Sequence, residues 1–285
     1  MRPDDWQLTE DIDDFLSRAG NFLRSRPALH TMPLTVIEKV RTLGTGEFGG
    51  GATLFGRLAD GGEVRGICYR LPSRGLCPTP LSPEDADRLA AHLAGLGYRL
   101  PYVSAERDTA TAFAESWQRY TGAAAKLTTR IRLYRLGTLT PPQPPPAGRG
   151  RVAGERDLDQ VVRWCGEFVD TVGEVPAVDA RSWAGSRFAD RHFTFWETPD
   201  GTPASMAAVT TMVAGMVRVD PVYTPAHLRG RGYAGAVTVE VSRAALDAGA
   251  TDVVLFADPD NPTSNALYQR IGYVQVAEWA VYDFR

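Results

Sequence analysis

The chain has 285 residues, 31 of them basic and 34 acidic for a formal net charge of −3, and 44% hydrophobic against 23% charged residues. That length suits two domains of ordinary size, and that composition excludes the disordered and fibrous classes. The small negative charge gives no bulk field for nucleic acid or an anionic membrane, so an anionic ligand has to be held locally.

The N-terminal stretch MRPDDWQLTEDIDDFL is acidic, and no segment approaches the roughly 18 consecutive apolar residues of a membrane span. The expectation is a cytoplasmic protein. DDFLSRAGNFL predicts a helix. Gly44-Thr45-Gly46-Glu47-Phe48-Gly49 spells GxGxxG, but a dinucleotide loop must follow a strand and open a helix, whereas a hairpin follows here. It reads as a glycine-rich turn. That hairpin is GATLFGRLADGGEVRGICYRL, turning about Asp60-Gly61-Gly62. In SPEDADRLAAHLAGLG, Ser82 and Asp85 mark a helix start, and Leu89, Leu93 and Leu96 share one face.

Five of the six residues 141–146 are proline, which favours a semi-rigid spacer or a strap across the surface. The predicted boundaries are therefore 1–140, a linker over 141–150, and 151–285. After the linker, Leu158, Val161, Val162, Cys165, Phe168 and Val169 recur at the spacing of a buried helix face. A second helix is expected over Val178–Ala189, followed by three antiparallel strands in HFTFWETPDGTPASMAAVTTMVAGMVRVDPVYT. Ala234, Val237, Val241, Ala244, Ala245 and Ala248 then keep helical spacing up to Gly249. TDVVLFA reads as a strand covered on both faces, NPTSNALYQRIG as a short helix, and YVQVAEWAVYDF as one or two closing strands.

The chemistry concentrates where a strand hands over to a helix, in VYTPAHLRGRGYAGA. A strand ending near Tyr223 and a helix starting near Gly232 aim free amides and the positive end of a helix dipole at one point. Gly230 and Gly232 let the backbone approach a phosphate, and Arg229 and Arg231 add charge. The three cysteines, Cys68, Cys77 and Cys165, and the four histidines have neither disulfide nor ligand spacing, so no metal is expected.

The segment resembles the acyl-CoA-binding signature (Q/R)xxGx(G/A) of the GCN5-related N-acetyltransferases (GNAT), met by Arg229, Gly232 and Ala234. The resemblance covers roughly residues 150–285. It implies that the loop amides, from Arg229 and Gly230 through Arg231 and Gly232 to Tyr233 and Ala234, hold the coenzyme pyrophosphate. The strand end at Val222 and Tyr223 would pair with the pantetheine arm, and an amide near Tyr223 would polarise the thioester carbonyl. In NPTSNALYQRIGY, it places Asn261 and Asn265 along the coenzyme and Tyr268 as the acid that protonates the leaving thiolate. Asn265 and Tyr268 stand three apart and so share a helix face. The base is open between Asp220, Glu174 and a water relay.

The implied architecture is α/β (α+β), with tandem GNAT-like domains of the two-domain actinobacterial type. Each would be a mixed, mostly antiparallel twisted sheet flanked by helices, with a V-shaped strand splay at the coenzyme site. Trp117-Gln118-Arg119 matches Tyr268-Gln269-Arg270 at an offset of 151, which sets 229–234 against Pro78-Thr79-Pro80-Leu81-Ser82-Pro83. Three prolines and no glycine there imply an N-terminal half without a coenzyme. The expected activity is transfer of an acetyl group from acetyl-CoA to a small amine or peptide acceptor in a ternary complex, by a monomer or homodimer, with no nucleic-acid or membrane partner. The competing readings are an aminoacyl-tRNA-dependent amide-forming transferase and a non-catalytic acyl-CoA sensor.

Overall fold

A computed structural model describes residues 6–44, 53–72, 74–172 and 191–285. The expected helix over 178–189 and most of the 44–49 glycine motif lie outside the described residues. The elements run β1 (Gln7–Thr9), α1 (Ile12–Ser25), α2 (Thr31–Leu43), β2 (Leu54–Asp60), β3 (Glu63–Arg70), β4 (Leu76–Pro78), α3 (Pro83–Gly95), β5 (Tyr102–Glu106), α4 (Arg107–Thr121) and β6 (Ala125–Leu136). They continue with β7 (Arg149–Val152), α5 (Leu158–Val172), β8 (Arg191–Glu197), β9 (Pro203–Thr210), β10 (Met216–Tyr223), α6 (Tyr233–Asp247), β11 (Asp252–Ala257), α7 (Pro262–Arg270) and β12 (Tyr273–Phe284). The closing segment is one strand.

The chain forms two compact units, Met1–Leu133 with Val276–Arg285, and Tyr134–Gln275. The division falls inside β6 and β12 rather than in the proline segment, because both strands run on without a break.

In the first unit, β1, β2, β3 and β4 pair antiparallel in succession, β4 lies parallel to β5, and β5 pairs antiparallel with Trp279–Asp283 of β12. Neighbouring strand residues face opposite sides. Leu54 and Leu58 therefore join the core under α3 and α4 with Phe113 and Trp117, while Phe55 stacks on Phe15 of α1 at 4.9 Å.

In the second unit, β7, β8, β9 and β10 pair antiparallel in succession and β10 lies parallel to β11. One face packs on α6 and α7 through Val217, Val219, Val237, Val241, Tyr268 and Tyr273. The other packs on α5 through Val161, Trp164, Cys165, Phe193, Phe195 and Tyr223. The α5 residues there keep the i, i+3, i+4 spacing of the sequence. The proline segment lies on the start of α6: Pro142 and Pro146 come within 3.7 and 3.8 Å of where β-carbons on Gly235 and Gly232 would stand.

The comparison of halves at a constant offset of 151 holds from the loop onward and breaks before it. α6, β11 and α7 overlap α3, β5 and α4 after the shift, but Pro78 is the last residue of a strand and Pro83 the first of a helix. Only residues 79–82 join that strand to that helix, against 224–232 in the second unit.

Candidate active site

β10 and β11 are paired from Met216↔Asp252 to Val219↔Leu255, and pairing stops there although β10 continues to Tyr223 and β11 to Ala257. The cause is local. On the other edge of β10 the register to β9 jumps from Val219↔Val209 to Val222↔Ala207, one extra residue, so Asp220-Pro221 forms a bulge that turns the strand. Pro221 also has no N–H for a ladder. The result is the V-shaped splay expected of the fold class, with residues 221–223 beyond the last register pair to β11.

The loop beyond holds its shape by its own hydrogen bonds. Leu228 N donates to Pro225 O at 2.9 Å and Arg229 N to Ala226 O at 3.3 Å; the next such bond is Ala236 N to Gly232 O at 3.1 Å. Among the described residues, no backbone carbonyl accepts from the amides of 230–235. Gly230 at φ +76° and Gly232 at φ +83° take left-handed conformations on either side of Arg231, and Gly232 caps α6 without a side chain. A 15-residue helix therefore presents its first-turn amides uncapped. The arginines brace this loop: Arg229 Nε donates to Thr224 O at 3.0 Å and Arg231 Nη2 to His227 O at 3.3 Å.

Across the splay, Asn261 caps α7 by accepting from Ser264 N at 3.0 Å. Asn265 turns inward: Nδ2 donates to Asp258 O and Asn261 O, both at 2.7 Å, and Oδ1 accepts from Tyr134 Oη at 2.7 Å. Its amide is bonded within the unit on both sides, so it fixes the start of α7. Tyr268 shares its face, is buried, and makes no hydrogen bond among the described residues. Burial first, and the charge of Asp220 second, push its phenol well above the ordinary range. It is protonated at neutral pH and so has a proton to give.

Asp220 is held by Arg191, whose Nη1 lies 2.7 Å from Oδ2. Glu174, the other base candidate, lies outside the described residues. Val222 packs on the α6 side of the sheet, while Tyr223 points to the α5 side, where its hydroxyl donates to Glu167 Oε2 at 2.6 Å. Burial, then that hydrogen bond and charge, push the Tyr223 phenol up to about 12.

Glu167 lines a cleft of about 830 Å³ between α5, the start of β9 and the loop, with Gln160, Arg163, Trp164, Tyr223 and Arg229. Reading α5 for its apolar face alone missed this wall. Its signal was a second stripe at helical spacing, Gln160, Arg163, Glu167, Asp170 and Thr171. No group of three or more potential metal ligands occurs among the described residues, and no helix among them is long and apolar enough to cross a membrane.

Residues 205–281 match the family model of FR47-like proteins. No curated protein matches the sequence. Among solved structures, a GCN5-related N-acetyltransferase from Sphaerobacter thermophilus is similar at TM-score 0.63 and 15% identity, covering 97% of this chain and 94% of that one. A GCN5-related N-acetyltransferase from Kribbella flavida is similar at 0.54 and 18%, covering 77% and 86%. A tandem GNAT protein from the clavulanic acid biosynthesis pathway is similar at 0.59 and 12%, covering 98% of both chains. The FR47-like match thus falls on the segment that carries the splay and the loop, and the chain shares the fold of these GCN5-related N-acetyltransferases along nearly its whole length.

Proposed function

We propose that the second unit is an N-acetyltransferase that moves an acetyl group from acetyl-CoA to a primary amine within a ternary complex, with one site per chain. One observation carries this reading: the β10–β11 splay opens directly onto an uncapped, glycine-hinged helix start. The backbone of 221–223, beyond the last register pair to β11, would bind an extended amide-bearing arm as a third strand, and the amides of Gly230 to Ala234 would take its pyrophosphate. The amide of Val222 or Tyr223 would polarise the thioester carbonyl. Tyr268, neutral and unpartnered, would give its proton to the thiolate as the carbon–sulfur bond breaks. Asn261 would reach the arm from the other side, with Asn265 holding that wall.

On this reading the first unit binds no coenzyme. Its loop is five residues shorter by the bounds above, Ser82 Oγ already accepts from Asp85 N at 3.1 Å, and Leu81 N donates to Thr109 Oγ1 at 2.9 Å.

Thermal melting of the full chain with acetyl-CoA, longer acyl-CoAs and free CoA tests the binding step. A rise of about 3 °C or more at saturating ligand is expected, since ligand at a hundred times Kd adds about 2.7 kcal/mol. No shift with any of the three overturns the reading. Thiol release with a panel of amines then separates an enzyme from a sensor.

A further inference from the structure

The cleft under α5 carries an arrangement that acetyl transfer alone does not require. Arg163 and Glu167 stand one turn apart on the same face of α5, the spacing at which opposite charges normally meet. Here they do not. Arg163 Nη2 donates to Gln160 Oε1 at 2.6 Å, Glu167 accepts the Tyr223 hydroxyl at 2.6 Å, and no ion pair joins the two among the described residues. Two side chains of opposite charge are thus each held by a different neighbour, both on the wall of one 830 Å³ cleft. A helical turn separates their β-carbons by about 5–6 Å, a distance that the ammonium and carboxylate of one small molecule can span.

Trp164, Tyr223, Pro203, Pro225 and Leu228 add apolar surface to the lining of the same cleft. Tyr223 is also the last residue of β10, so the carboxylate that meets its hydroxyl stands one side chain away from the splay. Glu167 Oε1 takes part in no hydrogen bond among the described residues, which leaves one oxygen of that carboxylate for a ligand.

Resting on the acetyltransferase reading, we propose that this cleft is the acceptor site and that its substrate is a free amino acid, with the ammonium on Glu167 and the carboxylate on Arg163. Glu167 takes one proton from the ammonium, and the freed nitrogen attacks the thioester carbonyl carbon. As the tetrahedral adduct collapses, the carbon–nitrogen bond is kept and the carbon–sulfur bond breaks. The sulfur leaves as a thiolate that Tyr268 protonates, the second proton of the nitrogen passes through solvent to restore the Tyr268 phenol, and the proton taken up by Glu167 is the one released. The products are the N-acetyl amino acid, free CoA and one proton released to solvent.

The test uses the full chain, acetyl-CoA and three matched pairs: phenylalanine with phenethylamine, leucine with isoamylamine, and lysine with cadaverine. Leucinamide and a leucyl dipeptide amide serve as probes for a peptide N-terminus. A charged hydrogen bond to the carboxylate predicts a kcat/KM for the acid about tenfold to a hundredfold above its amine in at least one pair. Arg163→Gln should bring that ratio close to one by raising KM for the acid. Glu167→Gln, which keeps an acceptor for Tyr223, should lower kcat at least tenfold with KM changed less than threefold. Both side chains lie at the surface of a helix, and each variant is checked by its melting shift with acetyl-CoA. Amines, amides or the dipeptide amide matching or exceeding the acids overturn the inference, as does an Arg163→Gln variant that loses both members of a pair equally. In those cases the coenzyme shift and thiol release persist, whereas a chain with neither overturns the acetyltransferase reading as well.

Discussion

Gly232→Ala isolates the cost of the loop conformation from everything else at the site. At φ +83° an L-residue is left-handed, which costs roughly 1–2 kcal/mol. A new β-carbon would lie 3.8 Å from Pro146, an ordinary contact, so no steric term is added. The penalty can be met in two ways. If the loop keeps its shape, the folded state loses the full amount, and the urea midpoint and melting temperature fall, the latter by about 2–4 °C per kcal/mol. If the loop relaxes instead, stability is kept, the amides of 230–235 lose their common aim, and acetyl-CoA binding weakens by up to about 5–30-fold. The stability loss from denaturation and the affinity loss from calorimetry should therefore add to about 1–2 kcal/mol. Gly235→Ala is the control: it lies in the first turn of α6, its nearest neighbours are 3.7–3.9 Å away, and the helix gains propensity. Gly232→Ala with both stability and affinity at wild-type values would refute the argument, as would a Gly235→Ala variant that is the worse of the two.

Tyr268→Phe removes a hydroxyl with no hydrogen bond, so its melting temperature should stay within about 1–2 °C of wild type while turnover falls by about a hundredfold or more. Tyr273→Phe is its opposite: the hydroxyl meets Ser242 Oγ at 2.7 Å, and its loss should cost about 1 kcal/mol in urea denaturation with turnover unchanged. Asn265→Ala strips partners from Asp258 O, Asn261 O and the Tyr134 hydroxyl inside the unit and should cost about 3 kcal/mol, read as a lower urea midpoint. Asp157 is held down to about 2, first by hydrogen bonds from Arg151 and then by Gly154 N and the same arginine's charge acting against burial. Because the folded value lies below the unfolded value of about 3.9, this stabilisation is complete above pH 4 and is lost as pH falls toward 2. Asp157→Asn should flatten the pH dependence of the urea midpoint in that window, and an unchanged slope would contradict the assignment.

The parts of this molecule that could be read from sequence are those with a local cause. Apolar spacing in α5 and α6, the two-residue turn after Asp60 and the run TDVVLFA each reflect one residue's choice against its near neighbours, and the elements follow them. The glycine loop was legible for the same reason, since Gly230 and Gly232 are conformational requirements of their own positions. The cleft was not. The Tyr223–Glu167 hydrogen bond joins residues 56 apart, and nothing in either segment announces the other. Asn265 is similar: its oxygen accepts from Tyr134, 131 residues away, a partner that nothing in the helix sequence announces. The division into units was likewise not legible, because proline marks where a backbone is stiff, and β6 and β12 carry the chain across the division as regular strand.

The same order of strand, loop and helix occurs twice in this chain, and the two loops differ in where their amides go. In the first unit Thr79 N donates to Ile67 O at 2.9 Å, Leu81 N to Thr109 Oγ1 at 2.9 Å and Asp85 N to Ser82 Oγ at 3.1 Å, while Pro78, Pro80 and Pro83 have no amide to offer. Three of the donors there have protein partners and three positions have none to offer. In the second unit the loop is longer, its hydrogen bonds stop at Arg229, and glycine replaces the capping side chain. An uncapped helix start is a local cost of about 1 kcal/mol, and a chain that had no use for it could recover that cost with a single serine, as the first unit does at Ser82. The second unit leaves it unrecovered at the place where β10 and β11 separate. Two independent stabilising options, a capped helix and a fully paired strand, are thus forgone side by side, and that coincidence argues for a ligand there more strongly than either feature alone.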